Sequence, residues 1–90
     1  MRFEFDPAKS VANKEKHGID FDEAQALWGD PWLLEAPALV SEEPRFLVIG
    51  MIGARPWAAI CTYRQGRIRI ISVRRARKQE IMQYEDENLR

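Results

Sequence analysis

"WAAICTYRQGRIRIISV", residues 57–73, decides the architecture. Side chains on a strand alternate between two faces, and this stretch alternates on both sides of Gln65-Gly66. The pattern predicts strands over 57–64 and 67–73 joined by a two-residue turn. In that register Arg64 faces Arg67, Thr62 faces Arg69 and Ile60 faces Ile71, all on one face. The other face carries Trp57, Ala59, Cys61 and Tyr63 with Ile68, Ile70 and Ser72, a set suited to a core.

Outward from the hairpin, residues 45–52 form a further predicted strand, separated from it by a Gly53-Ala54-Arg55-Pro56 turn. Residues 32–36 make a short strand that Pro37 confines to an edge or a strand end, and Phe3-Glu4-Phe5 alternates as another. Asp6-Pro7 is an N-cap followed by a first-turn proline, and Gly18 closes that helix. Asp20 starts a second helix, with Glu23 placed for a capping box and Gly29-Asp30-Pro31 as its stop. A last helix spans about 77–88. The expectation is an α+β fold in one domain over residues 1–90. Its antiparallel sheet packs against two N-terminal helices, and a C-terminal helix completes it.

Charge is segregated along this chain. Residues 1–44 hold four basic and ten acidic side chains, and residues 45–90 hold ten basic and four acidic, so halves of −6 and +6 sum to zero. Positions 64–78 contain seven cations and no acid: Arg64, Arg67, Arg69, Arg74, Arg75, Arg77 and Lys78. Clustered like charges repel one another. A solvated face and a surface for a phosphate-rich ligand both fit such a run, and the excess of arginine favours the phosphate surface because a guanidinium grips phosphate with a planar fork. Few aromatic residues accompany the cations, so backbone contact fits better than an array of stacked bases.

Several classes drop out on composition. The single cysteine, Cys61, excludes an internal disulfide and a cysteine-rich zinc site. No apolar run approaches the length of a membrane span, and the N-terminus has no signal-peptide core, so the cytoplasm is the expected compartment.

The quoted residues then match a family. "FDPAK…NKEKHGIDFDEA" and "RIISVRRARKQE…Y" resemble the BrnT-type toxins of bacterial type II toxin–antitoxin systems. Asp6-Pro7, Lys9, Asn13, Lys16-His17-Gly18, Phe21 and Glu23-Ala24 carry the first part of the resemblance. Arg45 and Gly50 carry the middle; Arg69 to Ser72, Arg74-Arg75-Ala76, Glu80 and Tyr84 carry the last. The resemblance implies a small ribonuclease with a RelE-like fold and an RNA substrate. It also implies a ribbon-helix-helix (BrnA-like) antitoxin partner, a heterotetramer built on the antitoxin dimer, and DNA contact only through the antitoxin.

RNA supplies its own nucleophile, the 2′-hydroxyl, so strand cleavage needs a base, an acid and cations around the phosphorane but no metal or other cofactor. The catalytic candidates are Arg64, Arg69, Arg74, His17, Glu80 and Tyr84. Lys9, Lys16, Arg67, Arg75, Arg77 and Lys78 are the candidates for RNA binding. Each has a plainer alternative. His17 sits where a cation complements a helix dipole, Glu80 and Tyr84 are spaced as a helix surface pair, and any exposed arginine can simply be solvated. At the level of the chain, the other reading is a non-catalytic RNA- or protein-binding module of the same fold.

Overall fold

A computed structural model describes residues 1–38 and 42–88. The chain runs through β1 (Arg2–Glu4), α1 (Pro7–His17), α2 (Phe21–Ala24), a 3-10 turn (Gln25–Gly29), β2 (Leu34–Pro37), β3 (Phe46–Ile52), β4 (Arg55–Arg64), β5 (Arg67–Arg75) and α3 (Lys78–Asn88). The sheet order is β1-β5-β4-β3-β2. Three of the pairings are antiparallel, but β1 runs parallel to β5, so the sheet is mixed rather than antiparallel throughout. No hairpin links β1 to β5, and the alternation of Arg2, Phe3 and Glu4 suits either direction. Phe3 turns inward onto Trp28, with ring centroids 5.3 Å apart.

The Gln65-Gly66 turn forms as expected. Both residues have positive φ, 49° and 77°, the geometry whose twist matches the flanking strands. Arg64 pairs with Arg67 and Thr62 with Arg69, but Ile60 pairs with Ser72 because Ile71 is an extra, bulged residue. The bulge resets the alternation. Val73 takes the core position expected for Ser72, and Ser72 is exposed. Tyr63, expected in the core, is 43% exposed at the sheet end; it packs on Phe46 and donates to Glu35. The 53–56 turn shrinks to Gly53-Ala54, and Arg55 and Pro56 join β4 opposite Ile52 and Met51.

One sheet face, with Val48, Trp57, Ala59, Cys61, Ile68, Ile70 and Val73, packs against Ile19, Phe21, Ala24 and Leu27. Asp6 caps α1, donor Ala8 N–H at 2.9 Å, and Gly18 ends it with φ 79°. The Asp20–Glu23 capping box is complete. The second helix is shorter than expected: after one turn, the Gln25 N–H bonds back to the Asp22 carbonyl and the chain tightens into the 3-10 turn. That tightening delivers Leu27 to the core. Two side chains finish exposed strand edges. Beyond the end of β1, the Asn13 amide donates to the Val73 carbonyl (2.9 Å) and accepts from its N–H (3.2 Å). Beyond the end of β2, Asp30 accepts from Met51 N–H at 2.8 Å.

On the opposite face α3 lies over β3, and Ile49 and Ala58 are buried there. Among the described residues no helix is long and apolar enough to cross a membrane.

Candidate nucleic-acid interface

The hairpin places Arg64, Arg67 and Arg69 on the face that α3 leaves uncovered near the turn. Register adds Arg2, which is opposite Arg67, and alternation adds Arg45 just before β3. This arginine face is not bare. Arg64 makes a two-pronged ion pair with Glu43, 2.7 Å from Nε and 3.1 Å from Nη2. Arg69 lies 3.6 Å from Glu4. The hydrogen bond from Arg64 holds the Glu43 carboxyl below its ordinary range, and Arg45 and Arg69 add to the effect. Glu42, Glu43, Arg45 and Arg64 line a shallow concavity. Acids of the N-terminal half therefore do reach the basic hairpin. They come from β1 and from the segment before β3 rather than from the helices.

Arg74 is engaged differently. Its guanidinium grips both oxygens of Glu80 at 2.7 and 2.9 Å, beneath the first turn of α3. Glu80 is 9% exposed and also accepts from Arg77 N–H at 2.7 Å, so it caps the helix as well as anchoring it. Arg74 depresses the Glu80 pKa against the opposing effect of burial. Tyr84 donates to Asp30 at 2.6 Å. Burial, with that bond, pushes the phenol up to about 12, so it stays protonated at neutral pH. Burial pushes Asp30 up, but hydrogen bonds from Tyr84, Met51 and Trp32 outweigh it and leave the carboxyl depressed.

His17 ends α1, half-buried. The helix starts just after Glu4, opposite Arg69, and passes Val73 at Asn13, so it carries His17 away from the hairpin turn. Lys9 and Lys16 are exposed on the same helix, whereas Lys14 pairs with Glu23 at 2.7 Å. Arg75, Arg77 and Lys78 are exposed at the far end of β5, about 26 Å along the strand from Arg67.

The candidates thus fall into three groups. Arg64, Arg67 and Arg69 meet at the turn; Arg74 and Glu80 form a part-buried pair; His17 lies toward the end that holds Arg75, Arg77 and Lys78. Glu80 and Tyr84, four residues apart, bond to different partners. Sequence inspection missed Arg2 and Arg45 beside the hairpin arginines, and Arg55 on the opposite sheet face beside Trp57. Their signal is positional: Arg2 comes in through the β1–β5 pairing, and Arg55 lies two residues before Trp57 on one strand face. Among the described residues no group of three or more His, Cys, Asp or Glu side chains is placed to hold a metal ion.

Comparison with known families agrees with the motifs. A family model described as "Ribonuclease toxin, BrnT, of type II toxin-antitoxin system" matches residues 5–80. The match contains His17, Arg64, Arg69, Arg74 and Glu80; Tyr84 lies beyond it. A search of curated proteins gave no match.

Proposed function

The chain belongs to the BrnT family of ribonuclease toxins of type II toxin–antitoxin systems, and we propose that it is a single RelE-like domain that cuts RNA without a metal ion, through attack by the substrate's own 2′-hydroxyl. The observation that carries this reading is the arginine face beside the hairpin turn. Glu43 is seated in the Arg64 fork as a phosphate would be, with two oxygens on two guanidinium nitrogens. A backbone phosphodiester presents two oxygens in the same way and can take its place, helped by the charge of neighbouring phosphates on the strand. Arg64 and Arg69 then contact the scissile phosphate and stabilise the charge that builds on the phosphorane.

Arg75, Arg77 and Lys78, at the other end of β5 and with Arg75 on the Trp57 face, make a second basic area for the RNA, which Lys9 and Lys16 of α1 extend. Arg74 and Glu80 hold the start of α3, and with it Arg77 and Lys78, in place. His17, carried by α1 past Val73 to the end of the sheet remote from the turn, stands too far from Arg64 and Arg69 to transfer a proton at a phosphate held there. Tyr84, already donating to Asp30, supports α3. The partner is an antitoxin protein. We take it to be of ribbon-helix-helix, BrnA-like type, with the antitoxin dimer holding two toxin copies in a cytoplasmic heterotetramer that touches DNA through the antitoxin.

A binding module without catalysis is the second reading. It is favoured by one observation: Glu80 and Tyr84 are both committed to bonds that hold α3. Expression in cells separates the two. A toxin arrests growth when expressed alone, and growth returns with a co-expressed neighbouring gene whose product co-elutes with this chain in size-exclusion chromatography. Unchanged growth, with the chain eluting alone, leaves only the binding module.

A further inference from the structure

At the end of the sheet remote from the turn, the Arg75 guanidinium sits over the Trp57 ring, 5.4 Å from its centroid. The two residues are direct cross-strand partners. Trp57 is only 8% exposed, so its indole serves as a seat for the guanidinium and is closed to an incoming ring. Arg75 itself is exposed, and among the described residues no ion pair engages it. A guanidinium held on one side by an aromatic ring and open on the other offers the planar cationic surface on which nucleobases stack.

The surroundings suit a nucleotide strand. Arg55 shares the Trp57 face two residues earlier on β4, and the Ala76 N–H to Pro56 carbonyl bond (3.1 Å) keeps the two strands together to that point. Arg77 and Lys78 follow at the start of α3, where the helix dipole adds positive potential. Arg55, Arg77 and Lys78 are all exposed and outside any ion pair among the described residues. The turn end differs: Arg64 and Arg69 already face carboxylates, and Tyr63 donates to Glu35.

We propose that Arg75, seated on Trp57, is a stacking platform for one base of single-stranded RNA, and that Arg55, Arg77 and Lys78 take the flanking phosphates. This second contact point rests on RNA being the substrate. It adds a base-dependent component to a surface that otherwise recognises only the backbone.

The probe is a 2′-O-methyl oligoribonucleotide of about eight nucleotides, which lacks the nucleophile and stays intact, beside an abasic chain of equal length. Wild-type protein binds the base-bearing chain roughly tenfold more tightly than the abasic one. Arg75→Lys keeps the charge and loses the plane: abasic affinity stays within about twofold while the preference for bases disappears. Arg55→Ala and Lys78→Ala weaken both chains equally. If Arg75→Lys retains the preference, or wild type shows none, the platform is wrong. Cleavage of unmodified RNA, measured in parallel, identifies what failed. Cleavage without a base preference removes the platform alone; no cleavage and no binding of either chain removes the RNA reading and the platform with it.

Discussion

Arg69 and Glu80 carry opposite charges and do opposite work. The Arg69–Glu4 contact is 3.6 Å between side chains 30% and 28% exposed, and such a pair contributes under about 1 kcal/mol to stability. Arg69→Ala is therefore expected to lower RNA cleavage by roughly a hundredfold or more, with the melting temperature nearly unchanged. Equal loss of both in kinetic and melting assays would make Arg69 structural. Glu43→Gln removes the carboxylate that competes with phosphate for Arg64, so RNA affinity should rise a few-fold; weaker binding would show that Glu43 organises the site instead. Glu80 is largely buried and doubly bonded. Glu80→Gln should cost about 2 kcal/mol in denaturant unfolding, because it leaves Arg74 without its counter-charge. The sign of its pH dependence follows from its depressed folded-state pKa. Its stabilisation is complete above the ordinary value of 4.5 and is lost as pH falls through the lower folded value. In the Gln variant, that part of the acid unfolding limb should be missing.

Individual elements were legible wherever a local rule decides them. Asp6-Pro7, Gly18, the Asp20–Glu23 box and the Gln65-Gly66 turn all stand where their backbone chemistry requires. Features set by tertiary pairing were not legible. Nothing in "RIRIISV" marks Ile71 as the bulged residue, yet the bulge decides that Val73 and not Ser72 faces the core. The parallel pairing of β1 and the edge caps from Asn13 and Asp30 depend on which strands end early, and alternation does not encode that. In the candidate site, the hairpin arginines could be placed from the turn alone, whereas Glu43 and Glu4 arrive from distant segments. The α3 helix illustrates the same limit. Its existence follows from composition, but its position rests on Arg74–Glu80 and Tyr84–Asp30. Tyr84→Phe deletes one of these bonds and leaves Asp30 a donor short. We expect a loss of about 1 kcal/mol, with faster hydrogen exchange concentrated in α3; a loss spread evenly over the sheet would contradict this anchoring role.

Across the whole molecule, a net charge of zero conceals a working arrangement. The seven cations of residues 64–78 occupy both ends of β5. Those at the turn are partly neutralised by Glu43 and Glu4, and Arg75, Arg77 and Lys78 at the far end stand outside any ion pair among the described residues. RNA affinity should therefore fall steeply with salt, since each neutralised phosphate releases counterions. A flat salt dependence would remove the electrostatic reading. The same exposed charge gives an antitoxin something to cover, and charge reversal at Arg64 or Arg69 should weaken that complex. A ribonuclease whose substrate provides the nucleophile works on RNA in excess EDTA, so incubating the purified chain under those conditions and identifying the new ends is the decisive measurement. Cleavage with 2′,3′-cyclic phosphate termini is expected; cleavage that appears only when a divalent metal is added, or that leaves 5′-phosphate and 3′-hydroxyl ends, overturns the 2′-hydroxyl mechanism.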